Sequence, residues 1–236
     1  MIPIPITKTT LTYKGEQKQI TAEQFRGAVL DYMLKNFSKK QRETLPMRFA
    51  SNKDAEGNKT TGYSQIQYNT NKNNLEILAI GEAEKVVEAW MQSVLKNNDF
   101  TINGKKAALE NPKKKTEYWY PKLEKHQLYK IEAWIPFGKD NVGKETKFDG
   151  IIWGNIQRLL TDLKITFIDK KTNKPEKVHV HIHEYQRREK TTKSYNVNWI
   201  TYDVIFSTNI NLPQQIGLGR VISLGAGKIK KISLMK

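Results

Sequence analysis

Residues 63–96 read YSQIQYNTNKNNLEILAIGEAEKVVEAWMQSVLK. Two runs rich in β-branched and aromatic residues, YSQIQYNT and NLEILAIG, flank a polar Asn/Lys turn, the pattern of two paired strands. The residues that follow, EAEKVVEAWMQSVLK, place Val86, Trp90 and Val94 on one stripe at helical spacing. The stretch therefore predicts strand, strand, helix.

Upstream, ITKTTLTYKG (residues 6–15) is a Thr-rich opening strand. Thr21 and Gln24 form a capping-box pattern ahead of Phe25, Ala28, Val29, Tyr32 and Phe37, which repeat at helical spacing. A polar, basic stretch from Ser38 to Thr61 then reads as a loop of a length that is often functional. FTING (residues 100–104) is expected to close this first unit. NPKKKTEYWYPK (residues 111–122) reads as a linker, so the domains are expected at 1–112 and 113–236.

The second half repeats the order. HQLYKIEAWIPF is a strand, and FDGIIWGNIQRLLTDL is a helix with Ile152, Ile156, Leu159, Leu160 and Leu163 on its apolar face. KITFIDK, VHVHIHEYQ and YNVNWITYDVIFSTN read as strands, the last with Ile200, Tyr202, Val204 and Phe206 facing inward. Strand-helix-strand-strand occurring twice is the split βαβ order. The predicted fold class is α+β, two tandem ferredoxin-like (RRM-like) domains ending in a glycine-rich loop.

Composition narrows the partners. The 236 residues carry 40 Lys+Arg against 24 Asp+Glu, a net charge of +16, and the sequence pI is about 9.7. Such an excess of cations suggests a polyanionic partner, RNA or DNA before a membrane surface, because no basic amphipathic helix or lipidation signal is present. The chain has no cysteine, which excludes disulfides, zinc-thiolate sites and cysteine nucleophiles. No stretch approaches the ~18 apolar residues of a membrane span, so a cytoplasmic location without a membrane partner is expected.

IGLGRVISLGAGKIKKI (residues 216–232) holds two G-x-G pairs, Gly217/Gly219 and Gly225/Gly227, with Arg220 between them and Lys228, Lys230 and Lys231 after. Glycine tolerates positive φ and close backbone approach, so such a loop can aim N–H groups at a phosphate while the cations add charge. A plain glycine-rich hairpin with an edge strand fits the same residues. A dinucleotide fingerprint does not, since the spacing is wrong and no helix follows.

This tail resembles the C-terminal glycine-rich loop of the CRISPR repeat-RNA endoribonucleases, the sixth of the Cas proteins, and their b-type branch in particular. FRGAVLDY (residues 25–32) resembles the family's first-helix signature, and YSQIQY with LAIGEA resembles the paired strands that follow. LYKIEAWIPF, IIWGNIQRLL and YDVIFSTNINLP match in order, so the resemblance runs from about Phe25 to Gly227. It implies metal-independent cleavage of precursor CRISPR RNA within its repeats, without a cofactor. In that chemistry the 2′-hydroxyl attacks the adjacent phosphate, leaving a 2′,3′-cyclic phosphate or 3′-phosphate and a 5′-hydroxyl. It also implies contact with other Cas effector subunits and a monomer or homodimer. Gly217, Gly219, Arg220, Gly225, Gly227, Lys228 and Lys230 are then expected to grip RNA phosphates. Arg187 and Arg188, with Lys190, are expected to contact a duplex from a hairpin tip.

The sequence departs from the family at one point. Relatives carry a histidine in the loop before the first of the paired strands, as general base or acid; here Ala50, Ser51, Asn52 and Lys53 stand in that region. A natural replacement, an introduced inactivating change and a catalytically silent homologue all fit. Lys53 and Tyr63 are the candidate catalytic residues, Lys53 (with Lys59) for charge or, if desolvated, as a base, and Tyr63 to orient a hydroxyl.

Three of the four histidines, His179, His181 and His183, fall at alternate positions of VHVHIHEY and so on one strand face, with Glu184 expected on the other. A metal site, recruitment to the active centre, RNA contact and the polar side of an amphipathic strand are the readings; the last is the simplest, and no metal is expected. His126, in a Lys-rich run, reads as a surface residue.

Overall fold

The computed structural model of the chain describes residues 2–14, 19–45, 62–72, 74–136, 145–189, 192–194 and 197–233. It divides into two units, Ile4–Trp119 and Tyr120–Lys236, the latter including residues 1–3. The boundary expected at 112/113 falls inside a strand.

The first unit runs β1 (Ile4–Lys14), α1 (Ala22–Asn36), α2 (Lys39–Thr44), β2 (Ile66–Asn71), β3 (Asn74–Ile80), α3 (Ala83–Asn97), β4 (Thr101–Ile102), β5 (Lys105–Lys106) and β6 (Ala108–Trp119). Its main sheet has the order β2-β3-β1-β6, all antiparallel. The capping box at Thr21 forms as its sequence predicts: the Thr21 hydroxyl accepts from the Gln24 N–H and the Gln24 side chain accepts from the Thr21 N–H. Ser38 and Gln41 repeat the device and start α2, a short helix inside the stretch expected to be loop.

Leu11 and Tyr13 of β1, Ile66 and Tyr68 of β2 and Leu75, Ile77 and Ala79 of β3 share the sheet face covered by α1 and α3. The Val86, Trp90 and Val94 stripe is buried there. Trp90 meets Phe25 and Phe100 edge-on at centroid distances of 6.0 and 5.5 Å, a geometry that adds about 0.5–1.5 kcal/mol per pair beyond burial.

Two expectations are corrected here. FTING supplies only the short β4–β5 pairing rather than the closing strand. That strand is β6, the segment expected to be a linker. Asn111 takes a left-handed φ of 49° and the register with β1 slips between Thr10 and Thr12, a bulge that seats Pro112 on an edge strand, where a missing N–H is tolerated. The lysine run then alternates. Lys113 and Lys115 pair with Thr10 and Lys8, while Lys114 turns to the helix side and binds Glu84 at 2.6 Å.

The second unit runs β7 (Leu123–Trp134), α4 (Phe148–Asp162), β8 (Val180–Arg187), β9 (Thr192–Ser194), β10 (Val197–Trp199), β11 (Tyr202–Ile210) and β12 (Ile229–Ile232). Its main sheet has the order β12-β7-β11-β8, which is the first unit's order, last, first, third and second strand. α4 buries Phe148, Ile152, Asn155, Ile156, Leu159 and Leu160; Leu163, expected on that face, is instead its C-cap. KITFIDK forms a single bridge, Ile168 to Pro175, rather than a strand.

No second long helix is found among the described residues of this unit. In its place residues 211–228 pack down as irregular chain, burying Leu212, Ile216, Leu218 and Ile222. This is possible because apolar residues punctuate the glycines and anchor the loop as a helix stripe would.

Candidate nucleic-acid interface

The expected site residues fall into separate places. Ala50 to Lys53 and Lys59 lie outside the described residues, as does Lys190. Tyr63, just before β2, is buried at 7% exposure, and its hydroxyl accepts from Gln67 Nε2 at 3.0 Å. Burial raises this phenol far above its ordinary range, against the opposing effect of Gln67. Tyr63 is therefore a buried hydrogen-bonding group at the start of this strand pair.

The glycine-rich segment is built around close approach. Gly219 has φ +103°, and a Cβ there would stand 2.5 Å from Trp134 Nε1 and 2.9 Å from the Ile135 carbonyl. Gly227 has φ +65°, and a Cβ there would meet the Leu218 carbonyl oxygen at 2.0 Å. Both positions exclude any side chain. Leu218 N–H donates to Gly227 O at 2.9 Å, Ile229 N–H to Ile216 O at 3.0 Å and Arg220 N–H to Ile135 O at 2.9 Å. The segment is thus riveted to the end of β7, and Gly225 ends a 3₁₀ turn at Ile222–Leu224.

This docking has a consequence for the cations. Trp134 pairs with Tyr202, and Tyr202 with Arg187, across three adjacent strands. Arg220, tied by its backbone to Ile135, and Arg187 and Arg188 therefore line the same end of one sheet, with Trp134 and Arg187 about 10 Å apart at two strand spacings. All three arginines are exposed. Arg188 Nε also holds Asp203 Oδ1 at 2.8 Å. Burial would raise the Asp203 carboxyl, but Arg188 and the Ala133 N–H outweigh it and hold it below the usual range. Beneath this end, Tyr202 donates to Glu145 Oε1 at 2.7 Å, tying β11 to the entry of α4. Burial and that carboxylate push the phenol up to about 12.

The lysines lie elsewhere. Lys228 pairs across the loop with Gly217. Lys230, on β12 beside Lys130, is bound to Glu132 at 2.8 Å. The Lys230 contact, followed by the opposing effect of burial, leaves the Glu132 carboxyl below its ordinary range. Much of this lysine's charge is locally cancelled.

The histidine strand differs from its sequence reading. Strand β8 begins at Val180, leaving His179 outside it with its N–H donating to Asn209 Oδ1 at 2.7 Å. The register with β11 slips at His183: Ile182 pairs with Phe206, and Glu184 with Ile205. This bulge reverses the alternation, so Tyr185 reaches Phe148 at a centroid distance of 5.2 Å while Glu184 stands on the histidine face, not opposite it. No group of three His, Asp or Glu side chains suited to a metal ion occurs among the described residues.

His126 is exposed, as its sequence suggests, but its contact with Ser207 is not legible there. His126 Nδ1 lies 3.4 Å from Ser207 Oγ, and Ser207 pairs with His181 on the next strand. His126 is 55 positions from His181, so only strand register places both beside Ser207. The central strands of both sheets place no Phe, Tyr or Trp on the face turned from the helices, among the described residues. The base-stacking aromatics of an RRM-type platform are thus missing from them.

No family model and no curated protein matches the sequence. Solved structures do match. A crystal structure of Cas6b aligns over 98% of this chain and 100% of that chain at a TM-score of 0.64 and 16% identity. A CRISPR RNA processing endoribonuclease Cas6b aligns over 97% and 100% at a TM-score of 0.57 and 16% identity. A Cas6 product complex aligns over 96% and 99% at 0.61 and 8% identity. With both sheets in ferredoxin-like order and the match running end to end, the chain has the tandem ferredoxin-like fold of the Cas6 CRISPR RNA processing endoribonucleases.

Proposed function

We propose that the chain is a metal-independent endoribonuclease that cuts precursor CRISPR RNA within its repeats. The observation that carries this reading is the end-to-end fold match to Cas6b, in a chain of net charge +16. The arginines at the Trp134 end suit a short RNA stem, because A-form duplexes are contacted mainly through backbone and shape. Arg187, Arg188 and Arg220 contact phosphates directly. The glycine-rich segment, with Gly217, Gly219, Gly225 and Gly227, sets the position of Arg220, and Lys228 and Lys230 add to the field around it.

In the reaction the 2′-hydroxyl loses its proton as it bonds to phosphorus, the bond to the 5′-oxygen breaks, and that oxygen takes up a proton. The products are a 2′,3′-cyclic phosphate and a 5′-hydroxyl. Lys53 supplies charge or base chemistry from the loop where relatives carry histidine, and Tyr63 braces the strand that follows. A general acid or base contributes ~10²–10⁴-fold, and holding the in-line geometry contributes independently of it.

The second reading, a silent protein that binds repeat RNA, is favoured by the absence of histidine from residues 38–61. The test is cleavage of an end-labelled CRISPR repeat from the source locus in excess EDTA, with Lys53→Ala alongside. A single cut with a cyclic-phosphate end, slowed on the order of a hundredfold by Lys53→Ala, is the expected outcome. Tight, salt-sensitive binding without a cut selects the silent reading. No binding to the isolated repeat leaves a subunit that needs its Cas partners.

A further inference from the structure

We propose that His126, His181 and His183, gathered around Ser207 on the sheet face turned from α4, form a phosphodiester-binding site for single-stranded RNA that tightens on protonation. The proposal rests on the reading of the chain as an RNA-processing protein and adds a second contact region to it. Three of the chain's four histidines occupy this face. Tertiary structure assembles them, since β7 brings His126 and β8 brings the other two, with β11 between them carrying Ser207.

The rings of His181 and His183 touch edge to face at 4.9 Å. Ser207, a residue 6% exposed, braces His126 through its hydroxyl, while His126, His181 and His183 themselves are exposed. Imidazoles stack on unpaired bases and, once protonated, donate charge-assisted hydrogen bonds to phosphate.

The surroundings make the imidazoles the variable charge of this face. From β7, Lys130 and Glu132 face it; from β12, Lys230 does; from β11, Asp203; from β8, Glu184. Lys130 and Lys230 both bind Glu132, at 3.5 and 2.8 Å, and Asp203 is held by Arg188. The fixed charges are therefore largely paired with one another, whereas imidazole changes charge between about pH 5 and 8. An anion that binds the protonated rings gains affinity as pH falls through that range.

The test is fluorescence anisotropy of labelled heptauridine at constant ionic strength, at about pH 5.5 and about pH 8, with circular dichroism confirming each variant's fold. Binding is expected to tighten about tenfold on acidification, the worth of roughly one charge-assisted hydrogen bond. The double variant His126→Ala/His181→Ala is expected to lose that gain. His179→Ala, outside β8, is expected to keep it. Equal pH dependence in wild type and double variant overturns the proposal, as does an absence of heptauridine binding at either pH. Because repeat cleavage is measured with a different RNA and a different readout, failure of this site is distinguishable from failure of the nuclease reading.

Discussion

Asp203 connects three elements through one carboxylate, accepting from the Ala133 N–H on β7 and the Arg188 guanidinium beyond β8 while sitting on β11 itself. Its carboxyl is held below the usual range, so its contribution to stability is present above the ordinary aspartate pKa near 3.9 and is lost as pH falls through the depressed folded value. Asp203→Asn is expected to be less stable than wild type at neutral pH, with the gap closing below about pH 3. Urea denaturation of both proteins across that range checks this, and a gap independent of pH contradicts it. Tyr63 shows the limit of residue-by-residue reading. The sequence marks a tyrosine beside a suspected catalytic loop, but only the tertiary structure shows that it is buried and that its hydroxyl is engaged by Gln67.

Among the elements, residues 211–228 replace a helix, and three of their glycines, Gly217, Gly219 and Gly227, leave no room for a Cβ, the last two also at positive φ. Gly219→Ala and Gly227→Ala each force a side chain onto positive φ and into contact with indole or carbonyl atoms. Backbone strain alone costs of order 1–3 kcal/mol, and the overlap adds to it. Both variants are expected to lower the thermal midpoint measurably and to weaken repeat binding through Arg220. Gly154→Ala on α4, where a Cβ meets nothing within 4 Å, is expected to leave repeat binding unchanged and to raise the midpoint slightly, because it removes a glycine from a helix interior. Calorimetry and repeat binding on the three proteins make the comparison. The glycine spacing was legible in the sequence, but it served equally for a phosphate cradle and for tight packing. The structure puts close packing against Trp134 and Leu218 at these positions. Strand β6 failed for a related reason. Pro112 and the lysine run have loop composition, yet a bulge at Asn111 lets them form an edge strand, and bulges depend on the partner strand.

For the whole molecule, on the proposed reading, the net charge of +16 bears on encounter with RNA more than on fold. If about four phosphates of a single strand are neutralised, repeat affinity is expected to fall roughly fiftyfold between about 50 and about 200 mM salt. A filter-binding series gives the slope directly, and a flat series rejects the electrostatic reading.

The sequence by itself determined the two-fold repetition of strand, helix and paired strands, the capped first helix, the buried Trp90 stripe and the cationic balance. These follow from periodicity, capping chemistry and composition, which are local or additive. Tertiary structure alone decided that β6 is a strand, that Glu184 joins the histidine face, that Arg187, Arg188 and Arg220 share one end of a sheet, and that His126 meets Ser207. Each of these depends on register between strands far apart in the chain, where a slip of one residue reverses every side chain beyond it.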